Sequence, residues 1–373
     1  MVRSYKKAHE ESGLIVNEIN IRSADRGRKD IATWRSALMS AESVYYPNRS
    51  RLYDLYEDVI LDGHLSGVVA KRIDAVLNKE IYFETGGKRA HAMDCLTMSL
   101  SFRNILRIIM ETQLWGISAI EFIPGKELDY DVIPRKHIKP ELGIITYEQT
   151  GTDGIPYKEL NNVWVMGEAK DLGMLLKCAP YCLYKRGGVS DWAQYIELFG
   201  QPVRVIKYDS YDEQTKAELK KILDESGSSL SLMIPRQADF EMVDGKQNNC
   251  DGNLQLSFIK ALNEEISILI LGNTETTSSS LSTGYAQSKV HLEQQYEITR
   301  SDLIYTAAML NSDKFLSVLR GYGYPIDNGR FVFSKDMDID YLQSRIAIDK
   351  EVAEMVEVPD SYWYDTYGVP GKE

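Results

Sequence analysis

The sequence predicts an α+β fold, in which helical segments enclose a short β-rich stretch and a smaller α/β unit. Apolar residues recur at helical spacing between Ala90 and Trp115. The stretch 117–169 holds short apolar runs separated by Pro and Gly turns, which is typical of strands. Helical spacing then resumes from residue 172. With 43% hydrophobic and 26% charged residues, the chain has the composition of an ordinary globular protein.

The predicted elements follow one another in eight segments, distinguished by periodicity and by Gly and Pro positions. Gly116 should end the helix that precedes the β-rich stretch, and Gly187–Gly188 should interrupt the helical segment that follows it. The segments are a polar arm (1–46), short helices (47–96), a strong helix (97–116), the β-rich stretch (117–169), a helical region (170–200), an α/β unit (201–271), a Ser/Thr-rich connection (272–284) and C-terminal helices (285–373).

Charge and hydropathy restrict the classes of function. The formal net charge of −12 argues against a protein that grips nucleic acid firmly, because phosphate binding rests on Lys and Arg. It does not argue against a protein that lets nucleic acid pass. No apolar run approaches the ~18 residues of a membrane span. The first 13 residues lack the apolar core of a signal peptide, so we expect the protein to stay in the cytoplasm where it is made.

Residue clusters that would support catalysis or metal binding are missing from the sequence. There is no P-loop, no G-x-S-x-G and no H-E-x-x-H. The four cysteines have no further ligands at suitable spacing, so we expect free thiols, no metal and no cofactor. The carboxylates of Asp54, Glu57 and Asp58 are either an acid–base group or a solvated helix face, and the solvated face is favoured.

One stretch stands out between two helical patterns, "LGNTETTSSSLSTGYAQSKVHLE" (271–293). It contains small hydroxyl residues and carries no charge between Glu275 and Lys289. From the residues alone it is either an exposed connection without a contact role or a surface that touches a polar ligand only transiently.

Four segments, taken in order, resemble the portal proteins of Mu-type tailed bacteriophages. They are "YDLYEDVILDGHLSGVVAKR" (53–72), "LWGISAIEF" (114–122), "YIELFGQPVRVIKYD" (195–209) and "LILGNTETTSSSLSTGYAQSKVHLE" (269–293). The resemblance covers roughly residues 30–320 and rests on the order and mixed residue types of the four segments together. It departs from the family in a short C-terminal portion and in the Ser/Thr content of the last segment.

The resemblance implies a ring, usually of twelve subunits, at one vertex of the capsid in the virion. Double-stranded DNA would pass through its channel, and the ring would meet the major capsid protein, the terminase and then the head–tail connector. The portal-like fold would comprise a helical stem (97–116 and 170–200), a β-rich clip (117–169), a wing (47–96 and 201–271) and a short crown within 285–373. The alternatives are a hidden enzyme, or a virion adaptor or scaffold without a channel.

The resemblance also implies roles for single residues, either at subunit interfaces or along the channel. Phe102 and Ile109 belong to an apolar stripe expected to face a neighbouring subunit. Trp164, Tyr147 and Tyr157 are expected either to anchor partners or to form the core of the β-rich stretch. The residues expected to line the channel are Asn273, Thr274, Thr276, Thr277, Ser278, Ser279, Ser280, Ser282 and Lys289.

Overall fold

The fold was obtained as a computed structural model. It describes residues 14–22, 25, 27, 29–199, 204–208, 214, 217, 221, 231–235, 253–273, 285–334, 339–356, 358, 359, 362 and 363. The helices in these ranges are α1 (Ile31–Ala41), α2 (Ser50–Val59), α3 (Gly63–Leu77), α4 (Asp94–Thr97), α5 (Leu100–Trp115), α6 (Leu175–Phe199), α7 (Asn253–Leu271), α8 (Tyr285–Leu310), α9 (Asp313–Gly321) and α10 (Ile339–Met355).

The strands in the described ranges are β1 (Ile81–Thr85), β2 (Lys88–Arg89), β3 (Ile117–Phe122), β4 (Tyr130–Ile133), β5 (Ile138–Lys139), β6 (Ile144–Thr146), β7 (Gly154–Pro156), β8 (Val163–Gly167), β9 (Arg204–Tyr208), β10 (Ser231–Pro235) and β11 (Gly329–Phe333). These strands form four small sheets. Three are antiparallel, with strand orders β11-β1-β2, β4-β3-β8 and β5-β6-β7, and β9 pairs with β10 in parallel. Helices and mostly antiparallel strands thus occur together, as an α+β fold requires.

Helix α5 lies at the centre of the body. Ser99 caps its first turn by accepting a hydrogen bond from the backbone N–H of Phe102, and Gly116 ends it with a left-handed φ of 83°. Phe102 and Ile109 have no exposed surface, because one face of α5 packs against β1, β11 and α9. These two residues stabilise the subunit itself, which corrects the expectation that they face a neighbouring subunit.

The β-rich stretch packs into the body. All six residues of β3 are buried, and the Trp164 ring on β8 stacks on Phe315 of α9 with 4.9 Å between ring centroids. The buried carboxylate of Glu121 accepts hydrogen bonds from the backbone N–H groups of Ile15 and Val16 at 3.0 and 3.2 Å. This packing places Trp164 in the subunit core, which was one of the two alternatives for this residue.

Helix α6 continues through Gly187 and Gly188, where the sequence predicted a break. A side chain on Gly188 would come within 3.2 Å of the Phe258 ring on α7, so the glycine allows the two helices to approach closely. Tertiary packing at Gly188 thus offsets the helix-propensity cost of a glycine, about 1 kcal/mol. No helix in the described ranges is both long enough and apolar enough to cross a bilayer.

Candidate functional site

The candidate site is the set of contacts by which α3 joins the end of α7 to α8, the two helices that flank the Ser/Thr-rich connection. We refer to these contacts as the support. Arg72 of α3 is its central residue. Its Nη1 donates to the carbonyl oxygen of Ile270, in the last turn of α7, at 2.8 Å. Its Nε and Nη2 donate to the two carboxylate oxygens of Asp302, on α8, at 2.8 and 2.9 Å. One guanidinium group therefore joins the two helices between which the connection runs.

Gly272 fixes the point at which the chain leaves α7. Its φ of 74° is in the left-handed region, which favours glycine. A Cβ at this position would lie 2.5 Å from Cδ1 of Ile298 on α8, so the end of the Ile298 side chain would have to move to make room for it. The backbone conformation favours glycine here, directly before the connection.

The first turn of α3 contacts both α6 and α7. Asp62 caps α3 through the N–H groups of His64 and Leu65, and it pairs with Lys185 of α6 at 2.9 Å. Nε2 of His64 lies 2.9 Å from the Asn263 carbonyl oxygen and 2.8 Å from Ser267 Oγ, both on α7. Since Nε2 faces a carbonyl oxygen, the neutral ring donates from this nitrogen.

The electrostatics of this turn follow from burial and from the neighbouring ammonium group. Burial lowers the pKa of His64, and the charge of Lys185 lowers it further. Burial alone would raise the pKa of Asp62, but the hydrogen bonds from Lys185 and from the backbone outweigh it and hold that pKa below its usual value. A neutral imidazole therefore lies beside a charged Asp62–Lys185 pair.

The acidic residues of α2 are paired and largely shielded from solvent. Asp54 accepts a hydrogen bond from Lys136 at 2.6 Å, and Asp58 accepts one from Arg186 of α6 at 2.7 Å. Only 9% of Asp58 is exposed. The expectation of a solvated acidic face is therefore wrong for these two residues, which hold α2 against its neighbours.

The structure describes only some of the predicted site residues. Asn273 is 3% exposed and belongs to the support, which corrects its assignment to the channel surface. Thr274, Thr276, Thr277, Ser278, Ser279, Ser280 and Ser282 lie outside the described residues. Lys289 lies in α8, but its side chain is outside the described part. Tyr147 and Tyr157 are half-buried.

Metal ligands do not cluster anywhere in the described part of the chain. Cys178 and Cys182 are buried in α6, where burial raises both thiol pKa values to about 12 and keeps the thiols protonated at neutral pH. Cys95 is exposed.

Sequence reasoning missed the residues that form the support. Asp62, His64 and Arg72 all lie within the quoted segment 53–72, so this segment was a usable signal. Their partners on α6, α7 and α8 are 123 to 230 residues away along the chain, and no local pattern identifies them.

Comparisons with known proteins support the quoted resemblance. The portal protein of Escherichia phage Mu is 28% identical over 202 residues, which is 50% of this chain and 37% of that protein. The Mu-like prophage FluMu protein gp29 of Haemophilus influenzae is 28% identical over 133 residues, which is 35% of this chain and 25% of that protein. Each match thus spans well under half of the relative.

Solved structures support the fold. The fold is similar to that of a chain in the neck of an empty gene transfer agent particle, computed with C6 symmetry (TM-score 0.58, 10% identity, 92% of this chain and 100% of that one). It is also similar to a chain in the virion of a native gene transfer agent particle (TM-score 0.55, 11% identity, 92% and 100%). A family model described as the portal protein of Mu bacteriophage matches residues 53–369, and with most of its length covered the chain belongs to this family.

Proposed function

We propose that the chain is one subunit of a ring-shaped portal, through whose channel double-stranded DNA enters and leaves a phage capsid. Membership of the Mu portal family supports this proposal. The structural similarity to a neck protein of a particle that was computed with C6 symmetry supports a cyclic assembly. A ring subunit presents different surfaces to its two neighbours, so contacts repeat head to tail until the ring closes.

The main observation in favour of this proposal is the support around the Ser/Thr-rich connection. Arg72 joins the end of α7 to α8, and Gly272 packs against Ile298. Both helices that flank residues 274–284 are thus held to each other and to α3. A DNA channel needs its inner surface at a fixed radius, and we propose that this support positions the connection there as a channel loop.

The chemistry of the connection suits a surface past which DNA slides. DNA carries one negative charge per about 1.7 Å of axis, so a cationic lining would bind phosphates and slow the movement. The hydroxyl groups of Thr276, Ser279 and Ser280 bring no charge. The net charge of −12 further weakens attraction between subunit and DNA. We propose that the residues from Thr274 to Ser282 contact passing DNA only transiently.

We place the stem and clip differently from the sequence prediction. Helices α6 and α7 pack against each other, and the segment 200–252, with β9 and β10, lies between them in the chain. Large apolar side chains on both helices are exposed in the subunit. They include Val189, Ile196, Leu254 and Phe258, with 44%, 54%, 71% and 44% exposed. We therefore propose that α6 and α7 form the stem and that 200–252 forms the clip.

The remaining assignments follow from a portal role. The ring would act in the virion at the capsid vertex, after assembly in the host cytoplasm, and it would have no catalytic function or membrane partner. Its partners would be the major capsid protein, the terminase during filling and the head–tail connector afterwards.

The decisive experiment is the mass and shape of the purified chain. Light scattering after size exclusion should give a multiple of 42.4 kDa, and negative-stain images should show a ring with a central hole. A monomer at high concentration would contradict the portal and favour an adaptor or scaffold without a channel.

A further inference from the structure

The connection between α1 and α2 exposes a valine and two tyrosines, and an acidic residue lies at its start. Val44, Tyr45 and Tyr46 are 89%, 86% and 76% exposed, and Glu42 is also exposed. We refer to residues 42–46 as the knob. Three large side chains in a row on the surface of one subunit are unusual for a region that stays in water.

The knob is held in place by hydrogen bonds at its base. The backbone N–H of Asn48 donates to the Ser40 carbonyl oxygen at 2.9 Å, and Ser40 Oγ donates to the Asn48 carbonyl oxygen at 3.1 Å. The backbone N–H of Tyr46 donates to Ser43 Oγ at 3.3 Å. Tyrosine side chains on a fixed loop lose little conformational entropy on binding, as in the rigid aromatic anchors of protein interfaces.

A groove with complementary properties lies between α8 and β11. Its volume is about 890 Å³. Tyr296, Arg300 and Ile304 line it at four-residue spacing, and therefore along one face of α8, and Phe333 of β11 also lines it. Tyr296 and Ile304 are 50% and 64% exposed. The charged residues that line the groove are all basic, namely Lys79, Arg300 and Arg330.

We propose that the knob of one subunit docks into the groove of the next copy of the same chain. This inference rests on the proposed ring, because only a head-to-tail assembly pairs two different surfaces of one chain. The apolar side chains of the knob match the apolar floor of the groove. Glu42 matches the basic lining, and the Arg300 guanidinium suits the face of a tyrosine ring.

The two surfaces lie on different elements of the subunit. The knob follows α1, which packs on α2 and α6, whereas the groove is formed by α8, which packs on α3, α5 and β11. They belong to different parts of the subunit, and both are exposed in the single chain. Docking would cover both and would repeat once per subunit around the ring.

Cross-linking tests the contact directly. In a chain carrying Cys95→Ser and Cys250→Ser, Tyr45→Cys together with Ile304→Cys should give a ladder of covalent multimers with a short bis-maleimide. The matched control pairs Tyr45→Cys with Leu61→Cys, since Leu61 is an apolar residue of similar exposure, 65%, that directly precedes α3, whereas Lys79 of the groove follows the other end of α3. The control pair, and each chain with only one introduced cysteine, should stay at the mass of one chain on a denaturing gel, since the remaining Cys178 and Cys182 are buried.

Charge reversal gives a second test that is independent of cysteines. Glu42→Lys and Arg300→Glu should each weaken the contact roughly two- to fivefold at each interface, and the double variant should restore ring formation. Intact rings that show no specific Tyr45–Ile304 cross-link, or a double variant no better than the singles, would overturn the docking while leaving the portal proposal standing. A parent chain that forms no ring would instead overturn the portal proposal and the docking with it.

Discussion

Arg72 and Asp302 form a two-bond ion pair that joins α3 to α8, with N–O distances of 2.8 and 2.9 Å. The Asp302 side chain is 2% exposed and that of Arg72 is 13% exposed. Arg72 also donates to the Ile270 carbonyl oxygen, so this ion pair connects α3 with both α7 and α8. Planar, two-bond recognition of this kind is a property of arginine that lysine does not reproduce.

Replacing Arg72 should therefore be costly. Arg72→Met leaves the buried Asp302 carboxylate without its partner, and we expect the free energy of unfolding to fall by about 3–5 kcal/mol. The matched control is Arg107→Met. Arg107 lies 3.8 Å from Asp74 with both side chains about half exposed, so its loss should cost less than about 1 kcal/mol.

Urea unfolding at one fixed protein concentration measures both variants and avoids differences that arise from assembly. Equal costs for Arg72→Met and Arg107→Met would show that the buried pair does not hold α3, α7 and α8 together.

Local features of the fold could be predicted from the sequence, and long-range ones could not. The end of α5 at Gly116 was predictable because a left-handed terminal residue favours glycine. The continuity of α6 through Gly188 was not, because it depends on Phe258, which is 70 residues away. Strands within 117–169 were predicted, but their position was not, since the partner of Trp164 is Phe315 on α9.

In the candidate site, too, the local sequence is informative and the long-range contacts are not. The segment 53–72 carries part of the family resemblance, yet the pattern of its acidic residues favours a solvated face, which is wrong for Asp54 and Asp58. Whether a carboxylate is exposed depends on what packs against it, and the partner of Asp58 is Arg186, 128 residues away. The sequence thus identified the region that matters but not the ion pairs that give it its role.

Asn311 should protect the free edge of β11. Its side-chain amide accepts a hydrogen bond from the Phe331 N–H at 2.7 Å and donates one to the Phe331 carbonyl oxygen at 3.0 Å, as a neighbouring strand would. Asn311→Ala leaves both groups of the buried Phe331 without this partner. We expect a loss of about 1–3 kcal/mol in the free energy of unfolding.

Asn311→Asp is the matched variant for this edge. An ionised carboxylate still accepts from the Phe331 N–H, but its second oxygen would face the carbonyl oxygens of Ala307 and Phe331, so urea unfolding should give a loss at least as large as that of Asn311→Ala. An alanine variant as stable as the parent chain would contradict a protective role for Asn311.

The pH dependence of stability should depend in part on His64. The pKa of His64 in the folded chain is lowered, so at mildly acidic pH the unfolded chain binds the proton more readily. The stability contributed by neutral His64 is complete well above the unfolded pKa of about 6.5 and is lost as pH falls below that value. Lys185 faces the same site and opposes a second positive charge, whereas Asp62 partly favours one.

His64→Gln should therefore reduce the stability difference between pH 7.5 and pH 5.5, as measured by urea unfolding. His91→Gln is the control for an exposed histidine: its side chain is 81% exposed and its Nδ1 lies 3.0 Å from Asp94, so losing it should not reduce the fall of stability at acidic pH. If both variants keep the pH dependence of the parent chain, His64 does not contribute to the acid sensitivity.

The Ser/Thr-rich connection should be sensitive to added positive charge. Replacing Thr276, Ser279 and Ser280 together with lysine should strengthen DNA binding at low salt and slow or block packaging and ejection. Each new phosphate contact should steepen the fall of log K with log salt by about 0.9. The same three residues replaced with alanine should have a milder effect, since no charge is added.

A control variant with three lysines at other positions distinguishes the effect of where the charge is added from the effect of how much charge is added. Ser36, Thr152 and Ser317 are exposed hydroxyl residues outside the connection, and replacing them with lysine changes the net charge equally. A general electrostatic effect would slow DNA in both lysine variants, whereas a channel loop predicts the effect only for residues 276, 279 and 280. If the variant with lysines in the connection packages and ejects DNA as well as the parent, the connection does not line the passage and is an exposed link between α7 and α8.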